Sequence, residues 1–276
     1  MNEQFREFLS AQGVDCDDLL PLGEGTSNDT YLLGKALVYR EKKASDPYFY
    51  QPLYEKRAIM EGAKKGIAVP ALLFDEKTGD MVSLYIPGNE HFPTSGASKE
   101  DIQKAVKAMK AFHECEVSLP PFDPLRRLSY YQDEAGARLL FAAESEIVSS
   151  FGQAMGASRL VPSHNDLVGS NVLYLGGKAL LIDFEFAGYN DPYFDLASLL
   201  SENKIEDEEL ISEALYDLFG VESDPDRLAL FLAFEDILWG YWALYRFKMS
   251  GNPIFQEIYQ DKKAAYARRP LLKTMA

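Results

Sequence analysis

The apolar positions of the chain change rhythm about a third of the way along, and that change predicts its organisation. Residues 2–12 carry the spacing of a short amphipathic helix ending near Gly13. In the segment LPLGEGTSNDTYLLGKALVYRE, β-prone residues fill Thr30–Leu33 and Ala36–Tyr39, and Gly34-Lys35 makes a two-residue hairpin turn. A loop rich in proline and aromatics, SDPYFYQP, leads to a helix over 53–65 that is stopped by Gly66 and the Val69-Pro70 pair. Strands around 71–75 and 81–86 follow, joined by the turn Lys77-Thr78-Gly79-Asp80, and Pro87-Gly88 closes the block.

Beyond that point the spacing is helical. Residues 98–115 repeat Ile102, Val106, Met109 and Phe112 on one face, with Ser98 as the N-cap. A less regular stretch to about 135 precedes a helix over 136–155. A compact strand–turn–strand then runs Asn171–Leu175, Gly176-Gly177, Ala179–Phe186, and from Pro192 onward the pattern is almost wholly helical. The expectation is an α+β chain of two lobes. Residues 1–87 form a small antiparallel sheet with one helix, hinged near 84–88 to a larger, mainly helical lobe over 88–276.

Composition narrows the classes. With 276 residues, 47% hydrophobic and 26% charged, the chain is neither disordered nor collagen-like. Its 28 Lys+Arg against 43 Asp+Glu give a net charge of −15, which argues against non-specific binding to nucleic acid or an anionic membrane and suits a cationic ligand. Cys16 and Cys115 form no metal-spacing pair, so two reduced thiols in a cytoplasmic protein are expected. The charged N-terminus, MNEQFREFLSAQG, is no signal peptide, and the most apolar run, Leu228 to Phe234, is too short to span a bilayer.

The strongest chemical signal is S-H-N-D-L-V-G-S-N at 163–171 followed by L-L-I-D-F-E-F at 180–186. His164, Asp166 and Asn171 have the H-x-D-x-x-x-x-N spacing of a kinase catalytic loop, and Asp183 stands at the metal-binding position of D-F-G. Phosphoryl transfer needs a carboxylate beside the acceptor hydroxyl and oxygen ligands for a Mg²⁺ that bridges the phosphates. A tight loop presents Asp166 to the hydroxyl, Asn171 swings back toward the metal, and the hairpin returns Asp183 to the same point. His164 reads as an organiser of the loop's hydrogen bonds.

Such a site needs a phosphate-covering loop and a cation. Gly23, Gly25, Thr26, Ser27 and Asn28 lie between two strand-like segments, where small residues let backbone N–H groups approach phosphates. The next strand ends at Arg40, whose bidentate fork suits phosphate, and Glu55 opens the following helix as its partner. Leu84 and Ile86 flank the lobe boundary, where kinases offer backbone groups to adenine.

These stretches together resemble the choline/ethanolamine kinase branch of the aminoglycoside-phosphotransferase-like small-molecule kinases. The resemblance covers nearly the whole chain and rests on G-T-S-N-D-T-Y, V-Y-R, Y-I-P-G, S-H-N-D-L-x-x-x-N and the long run I-D-F-E-F-A-G-Y-N-D-P-Y-F-D-L-A-S. It implies a bilobal protein-kinase-like fold, ATP as donor and a primary alcohol as acceptor. It also implies Asp166 as base, Asn171 and Asp183 as Mg²⁺ ligands, and Asp195 as a brace beneath the loop.

For the acceptor, Trp239 and Trp242 lie three apart on one helical face that Tyr245 continues. Aromatic faces attract a quaternary ammonium, although such a stripe also describes plain core packing. The resemblance favours a choline pocket, because choline kinases carry a W-x-x-W pair on a late helix and an acidic residue where Glu202 stands. Glu185 and Asp207 are weaker candidates for that carboxylate. Ethanolamine, thiamine or an aminoglycoside are alternative acceptors, and a kinase-fold module without catalysis is the alternative from another class.

Overall fold

The switch from β-prone to helical spacing appears directly in the architecture. The computed structural model describes residues 1–16, 18–24, 27–43, 48–93 and 96–269. Helix α1 (Glu3–Ala11) is capped by the Asn2 side chain, which accepts from the Phe5 N–H. Strands β1 (Leu19–Glu24), β2 (Asn28–Leu33) and β3 (Leu37–Lys42) form an antiparallel meander. Helix α2 (Pro52–Lys64) follows, and β4 (Ala71–Phe74) and β5 (Met81–Leu84) complete a five-stranded sheet in the order β1-β2-β3-β5-β4.

The second lobe begins with the short strand β6 (Glu90–His91) and helix α3 (Lys99–His113). Ser98 and Asp101 close a reciprocal capping box at the start of α3. Helices α4 (Pro124–Ala135) and α5 (Glu144–Gly156) come next, then β7 (Val161–Ser163), β8 (Val172–Leu175), β9 (Lys178–Leu181) and β10 (Gly188–Asn190). The remainder is α6 (Pro192–Glu202), α7 (Glu208–Phe219), α8 (Pro225–Ser250) and α9 (Ile254–Arg268). This is a bilobal α+β fold of the protein-kinase-like kind.

Three expectations need correction. The segment expected to be irregular up to 135 contains α4, and the helix expected over 136–155 begins only at Glu144. Pro124 at the first helical position, with the Asp123 carboxylate accepting from the Arg126 N–H, starts α4. Gly136, at φ 70°, ends it in the left-handed conformation that a glycine enters without steric cost. The strand expected to run to Phe186 stops at Leu181, because Asp183 takes φ 62° and turns the chain out of the sheet.

Helix α8 is the spine of the larger lobe. It is long and apolar enough to cross a membrane by length and composition alone, yet 78% of its most apolar window is buried inside the protein. It packs against α4, α5, α6 and α9 and therefore reads as a core helix. A second, smaller core lies under the five-stranded sheet, where Phe5, Leu9, Leu33, Leu37, Tyr39 and Val82 are buried together. The Phe5 ring meets the Tyr39 ring edge-on at 5.6 Å. Phe5→Ala would open a cavity in a cluster with few other large side chains. It should lower the unfolding free energy of the smaller lobe by about 3–5 kcal/mol, read by urea titration.

Candidate functional site

Residues two apart on β3 point to the same side, so Val38, Arg40 and Lys42 share one face. Val38 and Arg40 line a cleft of about 670 Å³ between the lobes. Leu84 and Ile86 border it where β5 ends, and Leu173 and Leu181 from β8 and β9 face them. That end is apolar. The other end holds Ser27, Asn28, Arg40, Asp166, Asn171 and Asp183. Gly23 sits at an irregularity in the β1–β2 pairing, opposite Thr30. Gly25 and Thr26 lie outside the described residues.

At the polar end, charges from distant parts of the chain meet. Arg40 Nη1 donates to Glu55 Oε1 at 2.5 Å and to Asp183 Oδ1 at 3.2 Å, and its Nη2 donates to the Gly79 carbonyl at 2.9 Å. Asn28 Nδ2 donates to the other oxygen of Asp183 at 3.0 Å. Lys42 is ion-paired with Glu185, two residues further along. Burial works against the Arg40 charge, but Glu55 and Asp183 outweigh it and hold the guanidinium firmly protonated. Burial also opposes ionisation of Glu55, and Arg40 overcomes it, leaving the Glu55 carboxyl below its usual range.

The loop carrying Asp166 rests on one buried carboxylate. Asp195, in the first turn of α6, accepts from the backbone N–H groups of His164 (2.9 Å) and Asn165 (2.6 Å), and its Oδ2 lies 2.8 Å from His113 Nε2. Asn165 takes φ 66° and anchors the bend by donating to the Ser163 and Phe186 carbonyls. His164 is fully buried, its Nε2 bonded to the Ile182 carbonyl at 3.0 Å and its ring tilted against Phe184. It thus ties the loop to the segment that delivers Asp183.

Asn171 closes the arrangement. A 3₁₀ turn over 169–171 carries it, and its Nδ2 donates to both the backbone carbonyl and the Oδ2 of Asp166 at 3.0 Å. The amide oxygen is left for another partner. Burial pushes the Asp166 carboxyl well up, with Glu202, Glu185 and Asp183 adding to the rise and the Asn171 bond opposing it. Asp183 is likewise raised, by burial first and Glu185 next, against Arg40 and Lys42.

The aromatic residues expected around the acceptor occupy different depths. Trp242 borders a small cavity of about 20 Å³ together with Tyr50, Tyr131, Glu185 and Phe186. Trp239 is buried behind it, meeting Trp242 edge-on at 5.8 Å and Phe186 at 5.3 Å. Tyr245 is also buried and stacks on Tyr131 at 5.6 Å. Glu202 is ion-paired with Lys262 of α9. Asp207 caps the start of α7 through the Glu209 and Leu210 N–H groups, a local duty that accounts for its side chain.

Sequence reasoning did not single out Arg127, whose guanidinium lies 4.2 Å from the Phe49 and Phe122 ring centres and lines the small cavity. The Asp123-Pro124 start signal, read as a helix, would have put Arg127 on a buried face.

A phosphotransferase model matches residues 18–231, more than half of the chain. The chain belongs to the phosphotransferase enzyme family. Among curated proteins it is 24% identical over 192 residues to protein LicA of Haemophilus influenzae, covering 64% of this chain. The match spans only 56% of LicA's length. Among solved structures, a choline/ethanolamine kinase family protein from Mesorhizobium loti superposes with a TM-score of 0.76 at 26% identity, covering 92% of this chain and 90% of that one. Choline kinase LicA from Streptococcus pneumoniae superposes with a TM-score of 0.77 at 20% identity, covering 96% and 98%, and LicA has also been solved in complex with AMP. This phosphotransferase therefore shares its fold, over nearly its full length, with a choline/ethanolamine kinase family protein and with choline kinase LicA.

The buried histidine gives a test of the loop. Burial holds the His164 pKa below its ordinary value, against the pull of Asp195. The folded protein therefore keeps His164 neutral while the unfolded chain takes up a proton as pH falls through about 6.5. That contribution to stability is present above pH 6.5 and is lost as pH falls toward the folded pKa. The stability difference between wild type and His164→Gln should narrow by up to about 1.4 kcal/mol per pH unit below pH 6.5. Urea titrations at pH 7.5, 6.5 and 5.5 check it, and a constant difference would mean that His164 titrates normally.

Proposed function

We propose that the protein is an ATP- and Mg²⁺-dependent kinase that phosphorylates the hydroxyl of choline to give phosphocholine. The observation that carries this reading is the convergence of Asp166, Asn171 and Asp183 at the polar end of one cleft, with Arg40 bonded to Asp183 across the lobes. Residues 1–87 serve as the nucleotide lobe in this scheme, and 88–276 as the catalytic and acceptor lobe. The apolar end, with Leu84 and Ile86, takes the adenine. Gly23, Ser27 and Asn28 cover the phosphates, and Arg40, held by Glu55, reaches them.

The donor set fits a hard divalent cation. Asp183 offers a carboxylate, Asn171 an amide oxygen turned away from Asp166, and Asn28 Oδ1 beside Asp183 is buried without a partner. No group of three or more His, Cys, Asp or Glu side chains with metal geometry occurs among the described residues. Mg²⁺ uses one or two protein oxygens and takes the rest from phosphates and water, so the Asp183 carboxylate and the Asn171 amide oxygen are the donors it would need from the chain. When bound, the ion neutralises charge on the phosphates. The chain's own part is positioning and a proton. The acceptor oxygen attacks the γ-phosphorus, the bond from that phosphorus to the β–γ bridging oxygen breaks, and Asp166 receives the hydroxyl proton. A carboxyl already raised by burial and neighbouring carboxylates is suited to that receipt.

Choline as acceptor rests on the aromatic wall around Trp242, on Trp239 behind it, on Tyr245 supporting Tyr131, and on the carboxylates Glu185 and Glu202 nearby. The likeness to choline kinase LicA and to a choline/ethanolamine kinase family protein supports the same choice. ADP release with Mg·ATP across choline, ethanolamine, thiamine and kanamycin tests it, with choline-selective turnover expected. Turnover on another acceptor would keep the kinase and remove the choline pocket. ATP binding without turnover on any acceptor would favour a binding module.

Two variants sharpen the roles. Asp166→Asn should lower kcat by about 10²–10⁴-fold with the fold intact, the usual contribution of a positioned base. Trp242→Ala should raise the choline KM about 2–30-fold with a smaller change in kcat, matching loss of one cation–π contact of about 0.5–2 kcal/mol. Steady-state kinetics report both, and an unchanged KM would make Trp242 a packing residue only.

A further inference from the structure

The small cavity beside Trp242 is lined by a hydrogen-bond donor that the reaction as described leaves unused. Arg127 stands in the first turn of α4 and is only 6% exposed. Its Nε donates to the Phe122 carbonyl at 2.9 Å, and its guanidinium lies 4.2 Å from the ring centres of Phe49 and Phe122. Those aromatic faces steady the cation. Nη1, however, is buried with no hydrogen-bond partner among the described residues. A donor stripped of water in this way raises the energy of the site until an acceptor meets it.

The charge, size and position of the cavity indicate what that acceptor is. Arg127 and Arg246 line it, against the carboxylate of Glu185, which is itself ion-paired with Lys42. In a chain of net charge −15, such a local surplus of cations suits an anionic oxygen. The volume of about 20 Å³ has room for one water-sized group, a single oxygen of a larger anion. Ser27 and Glu185 line both this cavity and the cleft, so the cavity adjoins the end where Asp166, Asn171 and Asp183 meet. Ser27 also precedes Asn28, whose side chain bonds Asp183.

We propose that Arg127 is a further catalytic residue, its Nη1 donating to one oxygen of the phosphoryl group as that group passes to the acceptor. The inference rests on the choline reading above. In the transfer, the bond from the γ-phosphorus to the bridging oxygen breaks and leaves ADP. A bond from that phosphorus to the choline oxygen forms, and the hydroxyl proton goes to Asp166. Arg127 makes no covalent bond. Choline itself brings no anion to the cavity, so Arg127 gains its partner from the phosphoryl group, and a contact that strengthens as phosphorus advances lowers the barrier. Phosphocholine then finds both provisions side by side, Trp242 and Tyr131 for its ammonium and Arg127 for a phosphate oxygen.

The test compares wild type with Arg127→Met, or with Arg127→Gln should the methionine variant not fold. Loss of the donor should lower kcat by about 10²–10³-fold, the usual effect of removing one preorganised donor to developing charge. Calorimetric titration with Mg·ADP present separates that role from packing. The phosphocholine Kd should rise about tenfold or more, the scale of one charge-assisted hydrogen bond, while the choline Kd stays within about twofold. An arginine that only packs between Phe49 and Phe122 would weaken both ligands together. An unmoved ratio of the two Kd values in a folded variant therefore overturns the inference, and so does an unchanged kcat.

Should neither variant fold, a crystal structure of wild type with Mg·ADP and phosphocholine decides. One phosphate oxygen should lie within hydrogen-bond reach of Arg127 Nη1, and a water there in its place sinks the idea. Wild type that phosphorylates no choline removes the choline reading and this inference with it. Choline turnover with an unmoved ratio removes the inference alone.

Discussion

The site is built on the carboxylate of Asp195. Two successive backbone N–H groups, those of His164 and Asn165, have no helix or strand partner because the chain bends there, and Asp195 takes both. Burial raises the cost of a bare carboxylate, and the His113 contact together with those donors reverses the balance and keeps Asp195 ionised. With both N–H groups fixed, Asn165 holds its left-handed backbone. Asp166 emerges into the cleft, and His164 is set to grip the carbonyl just before Asp183. Removing that carboxylate would release the bend and both residues that depend on it.

The lobes are joined by a matching device on the other side of the cleft. Arg40 on β3 and Asp183 beyond β9 are 143 residues apart and share a hydrogen bond, while Glu55 holds the far side of the guanidinium. Main-chain contact supports the same junction, since the Leu181 N–H donates to the Ile67 carbonyl at 2.7 Å. Close approach without side chains also matters at the small β7–β10 ladder. A Cβ on Gly188 would fall 2.9 Å from the Pro120 carbonyl oxygen and 3.1 Å from the Phe122 nitrogen. Both are backbone atoms that cannot move aside cheaply, so this position excludes a larger residue.

How much of this was legible in the sequence depended on whether the determining interaction was local. The β1–β3 meander, α2 and α3 follow from turn and cap residues within a few positions, as with Ser98 and Asp101. Helix α4 is equally local, with Asp123, Pro124 and Gly136 marking both ends. The early end of β9 could not be read locally. Asp183 leaves the sheet because Arg40 and Asn28, from the other lobe, capture its carboxylate. The candidate site was legible as spacing, since H-x-D-x-x-x-x-N followed by D-F-E is compact. Its surroundings were not. Nothing around Lys262, a lysine in a charged helix, signals that it is buried against Glu202.

The distribution of charge unites these features. A chain of net charge −15 gathers several of its buried carboxylates around one cleft, where their mutual repulsion would raise the energy of the folded state. Three basic side chains from two separate elements counter it. Arg40 and Lys42 come from β3, and Lys262 from α9, each paired with a different carboxylate. Asp166 is the exception. Its oxygen bonds an amide rather than a cation, and it stands among Glu202, Glu185 and Asp183. The cations nearest to it are drawn to its neighbours, so among the described residues lining the cleft Asp166 is the one carboxylate without an ion-paired cation.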